Sequence, residues 1–171
     1  MRNVASSVAV ITAELDGRMH GMTATAVCSV TASPPTILIV VNRSNRSHPI
    51  ISRSRKFTVN FLAEHQAGLG QRFSEKHEFP FDGVDCRAGR NGAPILNDTA
   101  AYIECETSEE FDVGTHTVFI GRVLDGDVTG LLPLLHHQGK YKSLVGLAGP
   151  FGTSSGSGSV RGSDQARREG K

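Results

Sequence analysis

The alternation of apolar and polar positions along this chain is predominantly that of β-strands. Val8-Ala9-Val10-Ile11-Thr12 is a β-branched run that ends at Asp16-Gly17, a strong hairpin-turn signal. The returning strand is predicted from about Met19 through Val30, dense in Thr, Val and Ala, before Pro34-Pro35 breaks the chain. Ile37-Leu38-Ile39-Val40-Val41 is a continuous apolar run, the pattern of a strand buried on both faces. Ser47, just ahead of His48-Pro49, reads as the N-cap of a short helix over about residues 48–54. Phe57-Thr58-Val59-Asn60-Phe61-Leu62 is the next strand. Glu64 to Phe73 then reads as a second helix, with Leu69 and Phe73 four residues apart on one face.

From Ser74 to Asn97 the chain is polar and rich in Gly, Pro and Asp, which predicts a loop or lid-like excursion. Strands are expected again at about Ala101–Phe111 and His116–Asp125, joined at Gly114 into a long antiparallel hairpin. A shorter element around Leu134–Lys142 closes the domain. Six or so strands with only short helices point to a mainly β protein, an antiparallel barrel. A doubly wound nucleotide fold is not supported, because long helices do not alternate with the strands. Its glycine fingerprint also fails: Gly68-Leu69-Gly70 is followed by Phe73 where the third glycine belongs.

Composition narrows the picture. The chain has 171 residues, one domain's worth, with 18 Lys and Arg against 17 Asp and Glu and a net charge of +1. Such a balance gives no reason to expect nucleic acid or an anionic membrane as the main partner. No apolar run approaches the length of a membrane span, and the first residues lack a secretory pattern, so a cytoplasmic protein is expected. Cys28, Cys86 and Cys105 are odd in number and widely spaced, and read as reduced and structural, Cys28 and Cys105 as small hydrophobes within strands. Residues 1–148 are expected to form the domain. From residue 149 a Gly/Ser-rich linker and a basic end are expected to form a disordered tail.

Two segments carry candidate chemistry. Gly21-Met22-Thr23-Ala24-Thr25-Ala26 puts small and hydroxyl-bearing residues in a strand, which lets a flat ligand approach the backbone; tight packing against another element is the plainer explanation of the same pattern. Asn42-Arg43-Ser44-Asn45-Arg46-Ser47 follows the apolar strand and opens a helix, so backbone N–H groups, hydroxyls and guanidinium groups favour a phosphate there; a capped polar turn is the plainer alternative. Arg72 is a further cation that can reach a phosphate or merely solvate a helix. His116, after Gly114-Thr115, either contacts a substrate or bonds a turn carbonyl, and His136-His137 and Gly139-Lys140-Tyr141 carry the same ambiguity. No hydrolytic triad and no zinc-ligand set is readable.

Taken in order over about residues 4–145, these segments resemble the flavin reductase family with the split-barrel FMN-binding fold, whose members include the small reductases of two-component flavin-dependent monooxygenases. The resemblance rests on Val8-Ala9-Val10-Ile11-Thr12, on Gly21 through Val30 with Ser33-Pro34-Pro35, and on Phe57 through Leu62. It continues through Arg72-Phe73-Ser74, Gly114-Thr115-His116, Gly121-Arg122-Val123 and Gly139-Lys140-Tyr141. It implies a split antiparallel β-barrel in which Thr23, Ala24, Thr25 and Ala26 lie along the flavin ring. It also implies that Val41 and Asn42 flank the flavin, that Ser44 and Ser47 hold its phosphate with help from Arg72, and that His116 faces the nicotinamide. Gly139 and Tyr141 are implied to lie near the same pocket. Thr115 stands where an acidic residue is common, His136 where an aromatic one is usual, and Ser7 where glycine is frequent.

The function so implied is an NAD(P)H:flavin oxidoreductase that passes a hydride from NADH or NADPH to FMN or FAD. Its reduced flavin would go to a partner monooxygenase, and the enzyme itself would be a homodimer. Two other readings remain at this level: a flavin-binding barrel with a different redox substrate or a storage role, and a non-redox dimeric ligand-binding module.

Overall fold

A computed structural model describes residues 3–146; the expected linker and basic tail fall outside the described residues. Twelve strands are formed, from β1 (Ser6–Ser7), β2 (Ala9–Leu15), β3 (Arg18–Ala24), β4 (Val27–Ala32) and β5 (Pro35–Asn42) to β6 (Lys56–Phe61). They continue with β7 (Cys86–Ala88), β8 (Pro94–Leu96), β9 (Ala101–Val113), β10 (His116–Val128), β11 (Leu135–His137) and β12 (Lys140–Lys142). The helices are α1 (Ser47–Ser54) and α2 (Ala67–Arg72), the latter preceded by a 3-10 turn over Glu64–Gln66. Seven strands form one antiparallel sheet in the order β3-β2-β6-β9-β10-β5-β4. Its two edges, β3 and β4, are separated in the chain only by Thr25 and Ala26. The sheet therefore curls until its edges come together at that corner without pairing, which is the expected split barrel. No helix among the described residues is long and apolar enough to cross a membrane.

Strand β2 is buried on both faces and divides two cores. Ala9, Ile11 and Ala13 face the barrel interior with Ile37, Ile39, Val41, Phe57, Val59 and Phe119. On the other face Val10, with Val8 just ahead of the strand, packs with Leu62, Phe73, Leu96 and Leu134. This second core anchors α2 and the small sheet β1-β11-β12 to the outside of the barrel. The functional residues discussed below lie above it.

Several elements differ from the sequence-based expectation. The single strand predicted from Met19 to Val30 is two strands, because the chain turns a corner at Thr25-Ala26 where the sheet edges meet. The apolar run of β5 is not buried equally on both sides: Ile37, Ile39 and Val41 point into the barrel core, while Leu38 and Val40 are half-buried. The second helix is shorter than expected and begins as a 3-10 turn. The polar 74–97 stretch carries the β7–β8 hairpin, which buries Ala93, Ile95 and Leu96. Asn91 ties that hairpin to the barrel, its Nδ2 donating to the carbonyls of Phe57 at 3.0 Å and Cys105 at 3.3 Å and its N–H to Glu104 Oε2 at 2.9 Å. All three cysteines are free thiols; Cys105 is buried as expected, but Cys28 is exposed on the edge strand β4 and is no core residue. Burial, reinforced by Glu104, pushes the Cys105 thiol up to about 12, so it remains an inert neutral side chain.

Candidate functional site

Strand β3 carries the small-residue cluster and is locked to α2. Thr23 Oγ1 donates to the Gly70 carbonyl at 2.6 Å, and Thr23 N–H to the Phe73 carbonyl at 3.0 Å. Gly21 admits the Phe73 ring: a Cβ there would stand 2.7 Å from Phe73 Cε1. Gly70 likewise admits Tyr141, whose Oη would lie 2.9 Å from an added Cβ. Small residues on both elements thus allow two aromatic rings to be inserted between β3, α2 and β12.

Above this layer lies a cavity of about 300 Å³, lined by Thr23, Ala24, Thr25, Ser74, His136, Gly139 and Tyr141 among others. It unites five of the sequence-predicted residues. Gly139 sits at φ +75° in the tight β11–β12 turn, which brings Tyr141 opposite His136 across the hairpin. Their rings meet edge to face with centroids 6.1 Å apart, so His136 fills the aromatic position with an imidazole. Partial burial, and then Glu75, raise the Tyr141 phenol, which stays a hydrogen-bond donor at neutral pH. Ala26 lies at the corner beyond this cavity, where its carbonyl accepts from Val40 N–H at 3.2 Å.

A second cavity of about 270 Å³ adjoins the first at Ser74 and is lined by His20, Gly21, Asn42, Ser44, Asn45, Arg46 and Lys76 among others. From Gly21 to Thr25 the two cavities follow β3 for about 13 Å, at about 3.3 Å per residue. The loop before α1 is rigid because its asparagines fold back on it. Asn42 Oδ1 accepts from Ser44 N–H at 2.9 Å and Ser44 Oγ at 2.8 Å, while Asn45 Oδ1 accepts from Ser47 N–H at 2.9 Å. The expected N-cap is therefore displaced: Ser47 is the first helical residue, Arg46 precedes it, and Asn45 supplies the capping oxygen. The N–H groups of Ser44 and Ser47 are thus already used. What the loop still offers an anion is the Arg46 guanidinium, with Lys76 across the cavity; Ser47 is buried, lines neither cavity, and its Oγ has no partner among the described residues. Two cations against the single Glu75 carboxylate leave a positive lining that fits a phosphate group.

Arg72 and Val41 also stand elsewhere. Arg72 donates from Nε to the Pro80 carbonyl at 2.7 Å and from Nη2 to the Asp82 carbonyl at 2.7 Å, so it clamps the 79–82 loop instead of facing the phosphate cavity. The Val41 side chain is fully buried in the barrel core, so it does not flank the groove; the inward phase of β5 places Ile37, Ile39 and Val41 on the same face. Its neighbour Asn42 does line the cavity.

His116 is the strand partner of Asn42, and its Nδ1 is 2.9 Å from Thr115 Oγ1. Thr115 joins Asn42, Arg43 and Ser44 around a shallow depression continuous with the phosphate cavity. Behind it, Asp112 accepts from Thr117 Oγ1 at 2.6 Å and pairs with Arg43 at 3.1 Å; the Thr117 hydroxyl foremost, and then Arg43, hold its carboxyl below the usual range. The Arg43 Nη2 also reaches the Gly114 carbonyl at 2.7 Å, which fixes the turn that presents Thr115 and His116.

Sequence reasoning had singled out Arg46 only as one of several loop cations, and His20 and Lys76 not at all. They are brought in by tertiary contact, from a strand start and from a polar loop, and no spacing signals them.

The flavin reductase like domain model matches residues 1–145. The probable flavin reductase of Rhizobium meliloti (strain 1021) is 35% identical over 138 residues, 80% of this chain; the chain spans 44% of that relative's length. The FADH(2)-dependent resorcinol hydroxylase reductase component of Rhizobium sp. (strain MTP-10005) is 38% identical over 146 residues, covering 82% of each protein. Among solved structures, the NADH:FAD oxidoreductase SgcE6 of Streptomyces globisporus C-1027, in complex with NAD and FAD fragments, matches with a TM-score of 0.80 and 28% identity, over 84% of this chain and 87% of that one. The split barrel, the groove along β3 and the run of matched residues all lead to one assignment: the chain belongs to the flavin reductase like domain family.

Proposed function

We propose that this chain is an NAD(P)H-dependent flavin reductase that delivers reduced flavin to a partner monooxygenase. The observation that carries the reading is the continuous groove on β3, small and neutral at Thr23–Thr25 and cationic at Arg46 and Lys76. Relatives named for flavin reduction, one of them the reductase component of a hydroxylase, support the same reading.

A bound flavin would supply the redox chemistry, as the acceptor of a hydride from the nicotinamide cofactor. The protein's part is orientation. Thr23, Ala24 and Thr25 are short enough for a planar ring to approach the β3 backbone, and Tyr141 with His136 walls the far side. Arg46 and Lys76 hold the phosphate, so the ring enters the groove in one direction. His116, turned by Thr115, stands beside Asn42 and contacts the nicotinamide cofactor. No side-chain acid is required for the hydride step.

We assign the chain to the cytoplasm and to a homodimer. The edge strand β4 is exposed along nearly its whole length, with Val30 at 51% exposure, and an uncovered edge is a surface that a second copy can cover. Light scattering on the purified protein measures this directly, and a monomer at micromolar concentration would contradict it.

The activity is tested by following absorbance at 340 nm with purified protein, NADH or NADPH, and FMN or FAD in air. Flavin-dependent loss of the signal is the expected result. No loss with any combination would reject the reductase reading, and flavin retained through gel filtration without nicotinamide oxidation would instead favour a flavin-binding barrel of another use.

A further inference from the structure

A further cavity borders the cationic one. About 500 Å³ in volume, it lies between the β2–β3 hairpin and α1, lined by Leu15, Asp16, Arg18, His20, Arg46, Pro49, Ile50, Arg53 and Glu78. His20 and Arg46 line both this cavity and the phosphate cavity, so the two are continuous. Its walls divide by chemistry. Leu15, Pro49 and Ile50 form an apolar part, whereas Arg18, Arg46 and Arg53 bring three guanidinium groups against the carboxylates of Asp16 and Glu78.

We infer that this cavity is an adenylate subsite, which makes the chain selective for the dinucleotide FAD over the mononucleotide FMN. The inference rests on the proposed function, because it takes the Arg46 loop as the site of the flavin phosphate. A dinucleotide anchored there has a second phosphate and an adenosine to place; the continuation toward Arg18 and Arg53 sets two guanidinium groups beside Leu15, Pro49 and Ile50, whereas the one toward Phe79 and Phe81 offers Arg18 alone against Glu78 and Asp82. Arg18 and Arg53 receive the second phosphate, and Leu15, Pro49 and Ile50 support the adenine ring. The sole ion pair in the way is weak: Arg53 and Asp16 are 3.9 Å apart with side chains 70% and 79% exposed, so solvent screens it and an incoming phosphate displaces it. The His20 imidazole at the junction is held low by burial and then by Arg46 and Arg18, which agrees with a positive field shared by the two cavities.

The test is calorimetric titration of the apo protein with FMN and with FAD, for the native chain and for the double variant Arg18→Ala/Arg53→Ala. The native chain is expected to bind FAD about tenfold more tightly than FMN. The double variant is expected to lose that preference, with FMN affinity changed less than about twofold. Arg46→Ala is expected to weaken both flavins, since its guanidinium lines both cavities. Equal affinities in the native chain, or equal losses for both flavins in the double variant, would overturn the subsite while leaving flavin binding intact. With NADPH titrated alongside, a loss confined to NADPH would also overturn it, by reassigning the cations to the nicotinamide cofactor. If the native chain bound neither flavin, the reductase reading itself would fall and the subsite with it.

Discussion

The two ends of the groove on β3 are built in opposite ways. At Thr23–Thr25 the walls are small, neutral and backed by a packed layer: Phe73 against Gly21, Tyr141 against Gly70, and Thr23 bonded to the Gly70 carbonyl. At Arg46 and Lys76 the walls are long, cationic side chains on the surface, and the Arg46 Nη1 makes only a 3.3 Å contact with the His77 carbonyl. A rigid end suits a planar ring whose position must be fixed for hydride transfer. A screened, adjustable end suits an anion that must bind and leave. The difference teaches that packing should govern geometry at one end and charge should govern affinity at the other.

Breaking the packed end has the largest expected effect. Gly21→Ala places a Cβ 2.7 Å from the ring of Phe73, which is buried and cannot swing aside, so stability should fall by about 1–3 kcal/mol in urea unfolding. His116→Ala should lower kcat/KM for the nicotinamide cofactor about tenfold, roughly 1.4 kcal/mol, without altering flavin affinity; steady-state rates together with a flavin titration separate the two. Thr23→Val keeps the shape but leaves the Gly70 carbonyl without its hydroxyl donor, for a loss of about 1 kcal/mol in the same unfolding assay.

The smallest effect sharpens the charged end. Because burial and two arginines depress His20 in the folded chain, its neutral form contributes stability that is fully present above the ordinary histidine range. That contribution is lost as pH falls through the depressed folded value. The urea midpoint of the native chain should therefore fall relative to that of His20→Asn on lowering the pH from about 7 to about 5. A native midpoint that rises relative to the variant's would contradict the sign.

Much of the barrel was legible because strand signals are local. The Asp16-Gly17 turn, the Gly114 turn and the β-branched runs at Val8 and Phe57 each act within a few residues, and the corresponding strands stand where expected. The corner at Thr25-Ala26 was not legible, since the residues on both sides favour strand and only the meeting of two sheet edges breaks the run. The phase of β5 was hidden for a related reason: five apolar residues in a row do not say which alternate set faces inward, and Val41 belongs to the inward set.

At the site, the small-residue strand and the loop before α1 were readable as clusters, and Gly139 with Tyr141 through resemblance to a family. The choice between arginines was not. Arg72 is taken by carbonyls of the 79–82 loop, whereas Arg46 reaches the cavity, and nothing local to either residue distinguishes them. The capping role read for Ser47 falls instead to Asn45, two residues earlier.

The central claim is that the neutral and cationic cavities form a single flavin groove joined at Ser74. Ser74→Leu tests it most directly, since Ser74 is exposed, lies outside both cores and borders both cavities. Titration of this variant with FMN should show affinity reduced about tenfold or more, with the unfolding midpoint unchanged. Native affinity in the variant would mean that flavin does not cross Ser74, and would contradict the account.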